Sequence, residues 1–298
     1  MTLSRHADAY GAAARVAAAS GRSTYLDRIV PSVLRRLDER KSSVPLEELR
    51  AAAERQVVVG ARAAFAAALA APGVSLIAEV KRASPSKGPI RPALDVGEMV
   101  GAYEAAGARA VSVLTEQDHF AGSLEDLCTA AGRTSLPLLR KDFILDGYQI
   151  YEARIFGASA VLLIAALLDD HHMAELAALA FDLGMDVLLE VHDAAEMARA
   201  LALDGVIVGI NNRDLRSFTV SLETTVELAG LVPAGRLLVG ESGIREHTEV
   251  EKLASCGVDA VLVGETILRS PDVRAAVRAL MEPIPAVAFS RKAERKGR

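Results

Sequence analysis

The alternation of apolar and polar positions changes texture at Ser75. Before that point apolar residues recur at helical spacing. Leu26, Ile29, Val33 and Leu34 form one stripe, and a second helix is expected to open at Pro45 with Glu47 and Glu48 in its first turn. Proline suits a first helical position, and acids there complement the helix dipole. From Ser75 onward short Val/Ile/Leu/Ala runs recur at intervals of roughly 20 to 35 residues, each followed by an Ala-, Leu- and Glu-rich segment long enough for a helix. The runs are Ser75–Arg82, Ala110–Glu116, Leu136–Phe143, Ala160–Leu168, Asp186–His192, Gly205–Asn212, Arg236–Ile244 and Ala260–Ile267, eight in all.

Three runs are introduced by nearly the same phrase: Gly107-Ala108-Arg109-Ala110-Val111, Gly157-Ala158-Ser159-Ala160-Val161 and Gly257-Val258-Asp259-Ala260-Val261. Their glycines stand 50 and 100 residues apart, multiples of the roughly 25 residues of one strand-plus-helix unit. Each Gly suits the left-handed residue that closes a helix, and the small Ala lets the chain turn tightly into the next strand. Eight such units predict an α/β fold, a (β/α)8 TIM barrel with additional N-terminal helices; an open doubly wound sheet is the alternative.

Composition narrows the function classes. Of 298 residues 51% are hydrophobic and 24% charged, enough to bury a large core, as in a soluble globular protein. A net charge of −5 argues against nucleic acid as the main partner. The longest apolar run, Ala158–Leu168, is far short of the roughly 18 residues that cross a bilayer, so no membrane partner is expected. Two cysteines, Cys128 and Cys256, have no zinc-like spacing and fit a reducing cytoplasm; no metal site is expected. The expected organisation is a loosely held extension over 1–24, helices packing on the barrel over 25–74, the barrel over 75–288 and a basic tail over 289–298.

In a barrel of this kind chemistry sits at the C-terminal strand ends, and here those ends are polar. The first carries Glu79 and Lys81, the third Arg140-Lys141-Asp142-Phe143, the fifth Glu190-Val191-His192, the sixth Asn211-Asn212-Arg213-Asp214, the seventh Glu241-Ser242-Gly243 and the eighth Gly264-Glu265. If Val80, Leu189 and Val191 face the helices, alternation turns Glu79, Lys81, Lys141, Glu190, Asn211 and Glu241 toward the axis. Six polar groups meeting in one barrel must pair or shift their pKa values. Gly243 and Gly264 allow close backbone approach, and Thr266–Arg269 can form a helical turn whose free N–H groups hold a phosphate.

These residues carry a family resemblance. Glu79-Val80-Lys81-Arg82-Ala83-Ser84-Pro85-Ser86-Lys87-Gly88, Leu114-Thr115-Glu116 with Phe120-Ala121-Gly122-Ser123, and Leu139-Arg140-Lys141-Asp142-Phe143-Ile144 resemble indole-3-glycerol-phosphate synthases of tryptophan biosynthesis. So do Leu189-Glu190-Val191-His192, Gly209-Ile210-Asn211-Asn212-Arg213-Asp214-Leu215 and Gly240-Glu241-Ser242-Gly243-Ile244. The resemblance spans about Tyr25 to Pro271. It implies a carboxy-lyase that closes 1-(2-carboxyphenylamino)-1-deoxyribulose 5-phosphate to an indole with loss of carbon dioxide and water. It also implies Lys141 as general acid, Glu79, Lys81 and Glu190 in the dehydration, and Asn211 and Glu241 orienting the hydroxyls and the catalytic Lys. Ser242, Gly243, Gly264 and the Glu265 amide match its phosphate cradle; Ser84 is expected among the substrate contacts, and Lys81 and Arg213 are the nearest cations for the substrate carboxylate and phosphate.

Pro85, Phe120, Phe143 and Leu188 are expected to line a slot for the aromatic ring. No cofactor is expected; a cytoplasmic location and association with other tryptophan-pathway enzymes are. Two other classes stand beside this reading. An Amadori isomerase acting on phosphoribosylanthranilate would use one acid with a thiol or carboxylate, not two Lys with three Glu. A non-catalytic assembly barrel would have broken the converging charges.

Overall fold

Eight parallel strands close into a barrel, each of the eight apolar runs supplying one: β1 (Ser75–Val80), β2 (Ala110–Leu114), β3 (Leu138–Lys141), β4 (Ala160–Ile164), β5 (Asp186–Val191), β6 (Ile207–Asn211), β7 (Leu238–Glu241) and β8 (Ala260–Val263). The computed structural model describes residues 25–56, 64–214 and 219–284; the expected extension 1–24 and basic tail 289–298 lie outside these residues. Each strand lies in order beside the next, and β1 pairs with both β2 and β8, which excludes the open sheet. The strands are shorter than their runs because the last residues of most runs leave the ladder for the loops that follow. Lys81, for example, lies just beyond β1.

The repeated glycines do what the phrase predicts. Gly107, Gly157 and Gly257 have φ of 99°, 91° and 90°, left-handed values that a side chain resists, at the ends of three helices. Outside the barrel stand α1 (Leu26–Ser43), α2 (Leu46–Arg55) and α3 (Ala64–Leu69). In α1 the buried stripe is Ile29, Val33 and Leu37, while Leu26 and Leu34 are only partly covered. Pro45 is not the first helical residue of α2: at φ −60°, ψ 142° it precedes the helix, which opens at Leu46. The barrel helices are α4 (Val96–Ala106), α5 (Leu124–Ala131), α6 (Gly147–Ile155), α7 (Asp170–Asp182), α8 (Ala194–Leu201), α9 (Glu223–Ala229), α10 (His247–Ser255), α11 (Glu265–Leu268) and α12 (Val273–Leu280).

Register fixes which side chains share the interior, because facing residues on parallel strands point the same way. Ile164, Glu190 and Gly209 are register partners in turn; so are Asn211, Glu241 and Leu262, and Leu114 faces Lys141. Arg140 has the opposite parity. Its guanidinium is 1% exposed and donates to Thr115 Oγ1 at 3.1 Å, Gln149 O at 2.6 Å, Glu152 Oε2 at 3.1 Å and Asp142 Oδ2 at 2.9 Å. Arg40 of α1 reaches the same Glu152 at 2.6 Å. A buried charge this fully paired fixes its surroundings, so Lys141 is aimed inward by neighbours anchored on the outer side of the wall.

Candidate active site

The mouth of the barrel opens into a cavity of about 970 Å³, whose walls include Glu79, Lys81, Lys141, Glu190, Asn211 and Glu241. All six expected inward residues are therefore brought together. At the centre the Lys141 ammonium lies 2.9 Å from Glu190 Oε2 and 3.2 Å from Glu241 Oε2. Lys81 Nζ, one residue past the end of β1, lies 2.5 Å from Glu79 Oε1. Asn211 Nδ2 donates to the other oxygen of Glu190, Oε1, at 3.1 Å.

Burial opposes charge on Lys141, Glu190 and Glu241, and proximity decides which keep it. For Lys141 the attraction of Glu190, Glu241 and Glu79 outweighs burial and holds the ammonium protonated well above the ordinary lysine range. For Glu190 burial is outweighed by Lys141, His192 and Asn211, so its carboxyl is held well below the usual range. Glu241 goes the other way. Burial, then the like charges of Glu190 and Glu79, prevail over Lys141 and push it up to about 7. One mouth thus holds a persistent ammonium, a persistent carboxylate and a carboxyl poised near neutrality.

Two glycines make room for these carboxylates. A Cβ on Gly209 would sit 2.3 Å from Glu241 Oε1, and one on Gly264 2.5 Å from Glu79 Oε1. Gly264, expected in a phosphate cradle, thus has its tightest constraint from Glu79. Gly209→Ala is expected to push the Glu241 carboxylate off Lys141 and lower kcat by about ten- to a hundredfold, with cooperative thermal unfolding retained. Steady-state rates on the folded variant check it; unchanged kcat would show that the Glu241 carboxylate can move aside freely.

The far side of the mouth suits an anion. Ser242 and Gly243 both have positive φ, 65° and 82°, and left-handed backbone at a non-glycine residue persists only where its surroundings hold it. Asn212 does so, donating Nδ2 to the Ser242 carbonyl at 3.1 Å while its Oδ1 accepts from the Thr225 N–H and hydroxyl. Gly243, Gly264, Glu265 and Thr266 line this end together with Lys87, Arg213, Arg245 and Arg269, and the first N–H groups of α11 have no partner within the helix. The Glu265 carboxylate is occupied with Arg269 at 2.9 Å and Lys87 at 4.0 Å, so what the residue can offer an anion is its backbone amide.

Pro85, Phe120 and Phe143 line an apolar wall, the two rings 6.1 Å apart and tilted by 41°, and Ser84 stands beside Pro85. Leu188 does not belong to that wall. It is fully buried, two residues down β5 from Glu190 and hence one side-chain layer below the cavity. Leu114, Leu162 and Ile164 are there instead. Polar strand ends could not reveal Leu162 and Ile164, because β4 ends in none; register could have found Ile164, the partner of Glu190, and Leu114, the partner of Lys141. Glu116 accepts from the amides of Asp118, His119 and Phe120 at 3.2, 2.7 and 3.0 Å, and so sets the loop that presents Phe120. Tyr25 and Leu26, at the start of α1, also reach the cavity. Among the described residues no group of three or more His, Cys, Asp or Glu is arranged to hold a metal ion, and no helix is long and apolar enough to cross a membrane.

Comparison with known proteins places the chain in one family. The model of the family described as indole-3-glycerol phosphate synthase matches residues 26–280. Two curated relatives of that name are each 47% identical: one from Lachnospira eligens, over 83% of this chain and 92% of its own, and one from Rhizorhabdus wittichii, over 81% and 92%. A solved thiamine phosphate pyrophosphorylase from Pyrococcus furiosus superposes with a TM-score of 0.54 at 18% identity, covering 70% of this chain and 93% of that one, a likeness of fold alone.

Proposed function

The chain belongs to the indole-3-glycerol phosphate synthase family and has that family's activity, and we propose that the Lys141–Glu190–Glu241 cluster is where its indole ring is closed. The observation that carries this reading is one ammonium in reach of two buried carboxylates, between an apolar wall and an anion-binding rim. The substrate, 1-(2-carboxyphenylamino)-1-deoxyribulose 5-phosphate, has three parts that match: an arene, a ketone and a phosphate. The arene lies against Phe120, Phe143 and Pro85, with Lys81 facing its carboxylate. The phosphate lies on the amides around Ser242, Gly243, Gly264 and Glu265, with Ser84 and Arg213 completing the contacts. The ketone then falls to Lys141.

Ring closure joins the carboxylate-bearing arene carbon to the ketone carbon, and the ketone oxygen takes a proton from Lys141 as the bond forms. Carbon dioxide then departs, and the electrons of its bond restore the aromatic ring. Water leaves last: the new hydroxyl gains a proton, and the adjacent methylene carbon loses one to complete the indole double bond. Once Lys141 has given up its proton, the largest of the attractions that depress the Glu190 pKa is gone, and only those of His192 and Asn211 remain. Glu190 then becomes a stronger base at the point in the sequence where a proton must be accepted. Lys81, paired with Glu79, supplies the proton to the departing hydroxyl. Asn211 holds Glu190 in line, and Glu241 orients Lys141.

Work in the cytoplasm, beside and in association with other enzymes of tryptophan biosynthesis, is supported by family membership. The chain contains no Trp, so an indole product emits over a low background. Purified protein with saturating substrate is expected to show a steady rise in indole emission; no rise would overturn the reading.

A further inference from the structure

His192 is partly buried, does not line the cavity, and has no part in the steps above. It follows β5 directly, and its ring stands between two carboxylates. Nε2 is 3.3 Å from Glu190 Oε1, and Nδ1 is 3.0 Å from Glu196 Oε2 in the first turn of α8. The His192 backbone N–H also donates to Glu196 Oε2, at 2.7 Å, so the ring is tethered at both its backbone and its outer nitrogen. The two oxygens of Glu190 are thereby divided: Oε1 faces Asn211 and His192, and Oε2 faces Lys141.

We propose that His192 is a positioning residue for the reaction: anchored on Glu196, its ring fixes the Glu190 carboxylate so that Oε2 stays on Lys141. The inference rests on the role given to Glu190 above. Charge supports it. The groups set around the ring are Glu190 from its own strand and Glu196 from α8, with Lys141 of β3 beyond Glu190. Burial disfavours a charged imidazole, but the two carboxylates outweigh it and push His192 up to about 10, so the ring is an imidazolium through the neutral range. A cation on that side keeps Glu190 ionised without competing for the oxygen that Lys141 uses.

The test separates the two ring nitrogens. The Gln side-chain amide reaches about as far as Nε2 and can still meet Glu190, whereas the shorter Asn amide sits near Nδ1 and meets only Glu196. His192→Asn is expected to lower kcat by about ten- to a hundredfold with KM changed less than about threefold, and His192→Gln to recover most of that loss. In a Glu190→Gln background His192→Asn should cost less than about threefold, because the group it acts through is already altered. Equal losses for Asn and Gln, a loss confined to KM, or the same loss in both backgrounds would overturn the proposal. Should His192→Asn fail to fold, Glu196→Gln, which loosens the anchor, is expected to lower kcat by about three- to tenfold, and wild-type kcat there would overturn it instead. An active Glu190→Gln enzyme would sink the underlying role of Glu190; full activity of His192→Asn beside an inactive Glu190→Gln would sink only this one.

Discussion

Lys141→Met is expected to abolish turnover, by at least about a thousandfold or roughly 4 kcal/mol in the barrier, while the protein still binds its indole product within a few-fold of wild type. Methionine keeps the length and apolar stem of lysine and deletes the ammonium that lies 2.9 Å from Glu190 and 3.2 Å from Glu241. Binding should persist because the apolar wall and the anion rim are built from other residues, among them Phe120, Phe143, Ser242 and Gly243. Leaving buried carboxylates without their cation is destabilising, but a carboxyl already poised near neutrality, Glu241, can take a proton and relieve the repulsion. Thermal unfolding should therefore remain cooperative. Turnover at saturating substrate and a product titration check the two halves; turnover within tenfold of wild type would show that Lys141 is not the general acid.

The reach of sequence reasoning here has a physical boundary. The barrel was legible because burial on both faces of every strand forces eight apolar runs, and because a left-handed residue at three helix ends calls for Gly107, Gly157 and Gly257. The cluster at the mouth was legible because Glu79, Lys141, Glu190, Asn211 and Glu241 break apolar runs at their ends, and period-two alternation assigns them one face. Leu188 was expected in the cavity from its place beside the polar end of β5, but nearness along the chain does not give depth, and it lies a layer beneath. Apolar walls leave no polar mark, so Ile164 needed the register of β4 against β5, and Leu162, whose register partner is the fully buried Leu188, was not given even by that. Gly264 reads as a close-approach residue for an anion and Gly209 carries no reading of its own, whereas the space both leave is taken by carboxylates from neighbouring strands, a three-dimensional relation that spacing along one chain does not contain. His192 was visible as a strand-end residue, but its role depends on Glu196 one helical turn further on.

Glu190→Gln is expected to lower kcat by about a thousandfold with a much smaller change in KM. Glutamine matches the shape of the carboxylate and can still meet Asn211, so what it removes is charge and the capacity to accept a proton. The pH profile gives the sharper signature. In the wild-type enzyme kcat/KM should rise through a limb near pH 7 as Glu241 ionises and becomes a partner that orients Lys141, the macroscopic value belonging to the coupled cluster. It should fall only at high pH, where Lys141 loses its proton. Removing the Glu190 charge removes a like charge that raises Glu241 and an opposite charge that raises Lys141. Both pKa values must therefore fall, and the whole profile moves toward acid pH instead of narrowing about a fixed centre. A profile that stays in place, or an acid limb that moves up, would mean that Glu190 and Glu241 do not share one field around Lys141. The paired roles given to them would then have to be separated.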